Sequence, residues 1–277
     1  MSTAEPSIAL PPNHLKALQG AIRDLESRDF AAQLADYAGR PVARALRLMP
    51  RSASDRFHRV VEGAILRSLH VAIRSIETKS RRPPAQRASS LLAGISGGVS
   101  GFFGLPALAV ELPLTTTLML RAIADIARHH GEALSTLDAR LACMEVFALG
   151  APNVAPPGSA PRADVGYYAS RALIGRLAGD AAAMFAERGL ANASAPMVGS
   201  LVTEIAARFG IVVSERSAAS ALPVLGAVGG ATVNVIFMNH FQRIARGHFT
   251  IRRLERQFGP GLVRRLYDAQ APRLRGR

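Results

Sequence analysis

The chain has 277 residues, of which 49% are hydrophobic and 19% charged, and its formal net charge is +14. This much apolar material excludes a wholly disordered chain, and a single cysteine, Cys143, excludes an intramolecular disulfide or a cysteine-based zinc site. The charge is uneven, because ranges 40–87 and 243–277 carry +9 and +8 while the remaining residues sum to −3.

The two basic blocks favour a polyanionic surface as partner, because clustered positive charge attracts such surfaces at long range. The stretch from Met1 to Lys16 carries Glu5 and three prolines, and it has no basic region followed by an apolar one. It therefore does not resemble a secretory signal. We expect a cytoplasmic protein that lies peripherally at the inner face of the cell membrane.

Apolar residues recur at helical spacing along most of the chain, and no long alternation typical of strands occurs. We therefore predict an all-α protein in which several helices form a single multi-helix domain. Outside two uncharged segments, the predicted helices cover 13–38, 54–78, 135–149 (capped by Ser135), 164–189 and 196–209.

The helix predicted at 54–78 is amphipathic, with Phe57, Val61 and Ile65 on one stripe and arginines on a different face. Two interpretations stay open: a core-packed helix with a solvated basic face, or a helix that contacts lipid or a partner. In the second interpretation an anionic surface contacts the arginines of this helix, of the linker after it and of the C-terminal block. These are Arg56, Arg59, Arg67, Arg74, Arg81, Arg82, Arg87, Arg246, Arg252 and Arg253.

The first uncharged segment runs from Ala88 to Leu120, and Glu111 is its only charged residue. Glycines spaced four apart on a helix leave smooth strips where another helix approaches closely, and prolines interrupt a continuous helix. We predict a glycine-rich helix, a bend near Gly104–Pro106 and a second helix that runs to His130 and is capped by Gly131. The packing glycines are Gly94, Gly97, Gly98 and Gly101.

The second uncharged segment, Ser217–Gln242, repeats the small-residue theme with Gly226 and Gly230. The chain then continues as a basic helix to Phe258, where the Gly-Pro-Gly sequence at 259–261 stops it. We predict that the two glycine-rich apolar helical segments pack together. Three settings for them stay open: the protein core, a hairpin that enters one leaflet, and true spans of a bilayer.

Glu111 stands out because a carboxylate among uncharged residues has to be neutralised, hydrogen-bonded or paired. One interpretation is a structural buried pair or a helix cap, and the other is an acid in a ligand pocket. The second interpretation places a pocket between the two uncharged segments. Its candidate residues are Glu111, Thr115, Arg121, Asn234 and His240.

Other patterns that suggest chemistry have simpler explanations. The sequence GISGG at 94–98 matches G-x-S-x-G, but no strand–turn–helix pattern surrounds it. His129, His130, His240 and His248 lack further ligands at metal-binding spacing. We therefore predict no catalytic residue, no metal site and no cofactor.

Three strings resemble a known family. GGVSGFFGLPALAVELPLTTTLMLRAIADIAR at 97–128 resembles the hallmark of the EcsC protein family, PVLGAVGGATVNVIFMNHFQRIARGHFTIRRLERQFG at 223–259 is similar to its C-terminal pattern, and GYYASR at 166–171 fits the middle. The resemblance implies a bacterial, mostly helical protein whose namesake is encoded beside the subunits of an ABC transporter. It therefore implies an ABC-transporter-related partner, but no reaction, cofactor or catalytic residue, because none is established for the family.

We divide the chain into a basic amphipathic N-terminal segment (1–87), an EcsC-like helical core (88–260) and a basic C-terminal tail (261–277). The favoured function is a membrane-associated accessory or scaffold protein, with enzymatic activity left undecided but disfavoured. The alternative is an enzyme or binder of an apolar ligand, with its pocket near Glu111, Asn234 and His240. Nucleic-acid binding through the arginine blocks is disfavoured, because the chain has no tryptophan and no recognisable base-reading motif.

Overall fold

The computed structural model of the chain describes residues 10–26, 33, 105–151, 166–188, 203–210, 212–213 and 226–275, with only the backbone at 105–113, 178, 181–188, 226–230 and 275. Within these ranges the chain forms seven helices and no strand, which confirms the predicted all-α class. The helices are α1 (Pro12–Leu25), α2 (Leu105–His129), α3 (Leu137–Leu149), α4 (Tyr167–Arg188), α5 (203–210), α6 (Gly226–Phe258) and α7 (Pro260–Arg275).

The long helix α6 is the centre of the described fold, because α1, α2, α3 and α7 all pack against it. Its Phe237 and Phe241 are fully buried and four residues apart, so they project from the same side. Phe147 of α3 and Phe209 of α5 complete an aromatic cluster, in which successive edge-to-face rings have centroids 4.8 to 5.3 Å apart. Each buried phenylalanine stabilises the fold by roughly 1.5–3 kcal/mol, so the cluster holds α3, α5 and α6 around one core.

A second apolar cluster joins α1, the beginning of α4, the end of α6, and α7. Tyr167 and Tyr267 are buried in it, with ring centroids 5.6 Å apart. The Tyr267 hydroxyl also donates a hydrogen bond of 2.6 Å to a carboxylate oxygen of Glu26. Most of the range 261–277 is therefore helical and packed against α1 and α6 rather than extended away from the core.

The helices that contain parts of the two uncharged segments pack against each other. Helix α2 contains the later part of the first segment, α6 contains most of the second, and the two helices pack against each other. Gly94, Gly97, Gly98 and Gly101 lie outside the described residues, and Gly226 and Gly230 are described only as part of the α6 backbone. The specific glycine contacts therefore stay a prediction.

Glycines end two helices as the sequence predicts. Gly131 after α2 and Gly259 after α6 both have φ of +83°, a left-handed conformation that glycine adopts without steric cost. The predicted cap of α3 is wrong by one residue, because Thr136 and not Ser135 accepts the hydrogen bond from the Ala139 amide, at 3.2 Å.

Helix α2 is described from Leu105 onward, and its backbone stays helical through Pro106 and Pro113, while the bend predicted near Gly104–Pro106 stays a prediction because residues 101–104 lie outside the described ranges. The first helix ends earlier than predicted, at Leu25, where the Glu26 amide bonds the Ile22 carbonyl. The amphipathic helix predicted at 54–78 lies outside the described residues. Among the helices that are described, none combines the length and the apolar character needed to cross a membrane.

Candidate functional site

The predicted pocket residues occupy two packed helices but differ in their surroundings. On α2, Thr115 is buried and Arg121 is exposed, while Glu111 is described by its helical backbone alone. On α6, Asn234 and His240 are both buried. None of the four described side chains lines the cavity that lies between α3, α4, α6 and α7.

His240 has a structural contact on each ring nitrogen. Its Nε2 donates to the Gly150 carbonyl over 2.7 Å, and its Nδ1 accepts from the Gln33 side-chain amide over 3.2 Å. The imidazole therefore holds the end of α3 against α6. A role for this ring in binding a ligand would require the loss of one of these bonds.

Close backbone packing occurs at two glycines that the sequence analysis did not select. A Cβ on Gly150 would lie 2.5 Å from the Phe241 ring, and a Cβ on Gly247 would lie 2.7 Å from Leu25 Cγ and 3.1 Å from the Ala21 carbonyl oxygen. Neither glycine lies in a spaced pair, and Gly247 stands among basic residues. A search for small residues in uncharged segments therefore passes over both.

The arginines predicted to contact an anionic surface are only partly described. The seven from Arg56 to Arg87 lie outside the described residues, while Arg246 and Arg253 are half-buried on α6. Arg252 is bonded internally, to Glu132 over 2.9 Å and to Asp138 over 2.6 Å, and its side chain is 14% exposed. An external anion would reach this guanidinium only in competition with two carboxylates.

A cavity lies elsewhere, between α3, α4, the end of α6 and the beginning of α7, and has a volume of about 670 Å³. Ligand pockets typically have volumes of ~300–1,000 Å³. Its surface is mainly apolar, but four arginines and three acids from these helices also reach it. The charged and titratable residues of the lining are Asp138, Glu145, Arg171, Arg176, Arg252, Glu255 and Arg264.

One wall of the cavity is fixed by the end of the GYYASR string. The Arg171 guanidinium bonds both carboxylate oxygens of Glu255, at 2.9 and 2.8 Å, and the Tyr168 hydroxyl donates to the same carboxylate over 3.0 Å. Because these bonds are charge-assisted and partly shielded from water, they fix α4 to the end of α6. The string thus supplies contacts that shape the cavity.

Glu145 lies at the inner end of the cavity with its side chain only 10% exposed. Burial raises the pKa of this carboxyl to about 7, although Arg171 and Arg252 act in the opposite direction. A carboxyl with a pKa near neutrality exists in both protonation states under ordinary conditions. It is therefore able to donate or accept a proton in the cavity.

Behind Glu145 lies a fully buried imidazole. His248 Nε2 is 3.8 Å from a Glu145 oxygen, too far for a hydrogen bond, and His248 Nδ1 is 2.9 Å from the Tyr167 hydroxyl. Burial lowers the pKa of His248 well below its ordinary 6.5, so the ring is neutral. The nearby carboxyl favours the proton on Nε2, which leaves Nδ1 to accept from Tyr167.

A second ionic group shares Arg252 with the lining of the cavity. Arg252 and Arg256 both bond Glu132, whose side chain is only 5% exposed. Burial acts to raise the pKa of Glu132, but the bonds from the two arginines outweigh it and hold the pKa below its usual value. This group fixes the loop after α2 against the basic half of α6.

Neither metal chemistry nor thiol chemistry is supported in the described part of the chain. No group of three or more His, Cys, Asp or Glu side chains there has the geometry to hold a metal ion. Cys143 is fully buried, and burial raises the pKa of its thiol to about 12, so the thiolate is not populated at neutral pH.

The sequence analysis did not select Glu145 or Glu255. Glu145 gives the same signal as Glu111, because it is the only charged residue in the apolar stretch 141–149. Glu255 lies in a run of charged residues and gives no such signal. Its role depends on contacts with residues more than 80 positions earlier in the chain.

Comparison with known proteins agrees with the family resemblance of the three strings. The family model described as the EcsC protein family matches residues 16–254, which is most of the chain. The match begins well before residue 87, so it includes most of the N-terminal segment that the strings do not cover. No curated protein and no solved structure matches the chain.

Proposed function

This chain belongs to the EcsC protein family, and from its charge distribution and exposed arginines we propose that it is an accessory or scaffold protein, rather than an enzyme, that binds the anionic cytoplasmic face of a cell membrane. The proposal includes a protein partner related to an ABC transporter, as the family resemblance implies. Membrane binding is the part of the proposal that the described surface supports.

The arginine-rich outer side of α7 is the main support for membrane binding. Val263, Tyr267 and Ala271 are four residues apart and buried, so they turn one side of α7 toward the protein. The opposite side is exposed and carries three arginines against one acid: Arg264, Arg265, Arg273 and Asp268. A surface of this kind attracts anionic lipid headgroups, and each basic residue contributes roughly 1 kcal/mol.

The composition of this surface favours adsorption by charge over insertion into the bilayer. The two large hydrophobic side chains that are most exposed in the described ranges, Leu114 and Leu173, belong to α2 and α4 and not to α7. An amphipathic helix that enters the interface needs an exposed apolar side. We therefore expect binding that weakens strongly as salt concentration rises.

The N-terminal basic block supports membrane binding by its sequence alone. Range 40–87 carries +9, and its arginines lie outside the described residues. On α6, Arg246 and Arg253 belong to the C-terminal basic block and are half-buried. The C-terminal block as a whole carries +8.

Vesicle sedimentation tests the proposal. The full chain is mixed with vesicles of phosphatidylcholine, with or without phosphatidylglycerol, at low and high salt. We expect sedimentation with the anionic vesicles at low salt and release at high salt. Arg264→Gln, Arg265→Gln and Arg273→Gln in one variant should lower the partition coefficient by up to about a hundredfold, at roughly 1 kcal/mol for each arginine.

A matched variant separates the α7 surface from overall charge. Arg23→Gln, Arg121→Gln and Arg128→Gln together remove the same net charge from exposed positions on α1 and α2, outside the cavity. We expect a smaller effect on sedimentation from this variant. Equal losses in the two variants would rule out α7 as the contact surface, and no difference between neutral and anionic vesicles would refute membrane binding altogether.

A further inference from the structure

We propose that the cavity between α3, α4, α6 and α7 binds a phosphomonoester that carries a short apolar group. This inference does not rest on the proposed membrane binding, because it concerns an open cavity between four helices, although Arg264 both lines this cavity and lies on the outer side of α7. The cavity volume of about 670 Å³ is sufficient for a ligand of this kind.

The cationic groups of the cavity come from three different helices. Arg171 and Arg176 belong to α4, Arg252 to α6 and Arg264 to α7. A tetrahedral phosphate presents oxygens in several directions, whereas a planar carboxylate offers one edge to a guanidinium. Guanidinium groups around one cavity on three helices therefore fit a phosphate better than a carboxylate.

The carboxylates of the cavity neutralise only part of this charge. Glu255 is bonded to Arg171, and Asp138 is bonded to Arg252. Arg176 and Arg264 are exposed, and the contact of Arg264 with Asp268 is long, at 3.8 Å, and open to water. These two arginines supply the positive charge that an incoming anion meets first.

Most of the remaining surface is apolar and suits a short hydrocarbon group. Gly175 and Gly179 are four residues apart on α4 and both line the cavity, and a Cβ on either would meet no atom within 4 Å. The two glycines therefore leave a smooth floor with free space above it. Leu141, Ala172 and Pro260 extend the apolar lining.

Glu145 completes the site as a hydrogen-bond donor. Its protonated carboxyl is able to donate to a phosphate oxygen, whereas the ionised form would repel the phosphate. The charged groups that act on it are Asp138 on α3, Arg171 on α4 and Arg252 on α6, and the neutral His248 on α6 lies 3.8 Å away. The other charged residues that line the cavity are Arg176, Glu255 and Arg264. An amide at this position would also donate, so Glu145→Gln should preserve binding and strengthen it above neutral pH.

Calorimetric titration of the full chain with octyl phosphate tests the proposal. We expect saturable binding of octyl phosphate and much weaker binding of octanol, which lacks the phosphate, and of inorganic phosphate, which lacks the apolar group. Gly175→Leu fills the floor of the cavity and should weaken binding at least about tenfold. The matched control is Gly20→Leu, because Gly20 is a helical glycine on α1 that also has open space around its Cβ.

A second variant protects the test against misfolding. Arg176→Gln with Arg264→Gln keeps the apolar floor and should also weaken binding about tenfold, with circular dichroism used to verify that each variant is folded. The source of the ligand is distinguished by competition. Displacement of octyl phosphate by vesicles that contain phosphatidate, but not by vesicles that contain phosphatidylglycerol, indicates a lipid headgroup, and no displacement indicates a free phosphomonoester.

Several results would overturn the proposal. These are no detectable binding of octyl phosphate at about 1 mM, unchanged affinity in folded Gly175→Leu, or equal affinity for inorganic phosphate. Gly175→Leu should still sediment with anionic vesicles, because the outer side of α7 is unaltered. A failure of the cavity and a failure of membrane binding are therefore separate results.

Discussion

The hydroxyl of Tyr167 and Nδ1 of His248 are joined by a 2.9 Å hydrogen bond between two buried side chains that are 81 positions apart in the sequence. Burial raises the pKa of the Tyr167 phenol and lowers the pKa of His248, so both groups are neutral. The bond therefore joins the beginning of α4 to α6 without an internal charge.

We expect Tyr167→Phe to lower the free energy of unfolding by about 1–3 kcal/mol, because the buried Nδ1 of His248 loses its donor. Urea denaturation followed by circular dichroism measures the change. Tyr168→Phe is the control, since its hydroxyl is half-buried and its acceptor, Glu255, keeps the bonds from Arg171. A larger loss in Tyr168→Phe than in Tyr167→Phe would contradict this account.

The raised pKa of Glu145 predicts how the stability of the folded protein depends on pH. Because burial raises the pKa of this carboxyl from 4.5 to about 7, the folded protein holds the proton more tightly than the unfolded chain does. Between pH 4.5 and about 7 the unfolded chain has released the proton while the folded protein still holds it, so the contribution of Glu145 to stability falls as pH rises. Above pH 7 the destabilisation is complete and on the order of 3 kcal/mol.

Glu145→Gln stays uncharged, so its advantage over the unaltered protein should grow as pH increases from 4.5 to about 7 and then remain constant. The comparison is made at each pH because His130 and His248, whose pKa values are lowered, act in the opposite direction. Asp268→Asn, which removes an acid at an exposed position, is the control and should change the free energy of unfolding by less than about 0.5 kcal/mol. A constant difference for Glu145→Gln would show that burial does not raise the pKa of Glu145 above that in the unfolded chain.

The contact between α1 and α6 at Gly247 should be sensitive to a single methyl group. Overpacking costs about 1–3 kcal/mol, and the better helix propensity of alanine returns roughly 1 kcal/mol. We therefore expect Gly247→Ala to lower the free energy of unfolding by about 1 kcal/mol, because the Ala21 backbone cannot easily move. Urea denaturation provides the measurement.

Gly20→Ala is the matched control on α1, where the new Cβ meets open space. It should stabilise the protein by up to about 1 kcal/mol through helix propensity alone. If both variants raise the stability, α1 and α6 are not in close backbone contact at Gly247.

The helical class and several helix ends follow from local features of the sequence. Gly131 and Gly259 end their helices because only glycine adopts φ of +83° at little cost, and this information is carried by the residue itself. The cap of α3 shows the limit of such reasoning. Ser135 and Thr136 are both good capping residues, and the choice between them depends on how the preceding turn is folded, in which the Thr136 hydroxyl also bonds the Ala133 carbonyl.

The cavity could not be predicted from local features. Its lining includes the ion pairs of Arg171 with Glu255 and of Arg252 with Asp138, and Glu145 in the same lining lies next to His248. Each pair is separated by more than 80 residues, and no periodicity within one helix specifies such a pairing. The sequence pattern selected Glu111 as the isolated acid, and Glu145 satisfied the same criterion without being considered.

The packing of α1 against α6 and α7 has a consequence for folding during synthesis. This helix is near the beginning of the chain, yet the elements that cover its apolar side are α6 and α7, near the end. During synthesis α1 leaves the ribosome long before its partners exist, and loop closure over more than 200 residues must precede its docking. Until α6 and α7 are made, the apolar side of α1, with Leu18, Ala21 and Ile22, is thus exposed to solvent or to other factors in the cell.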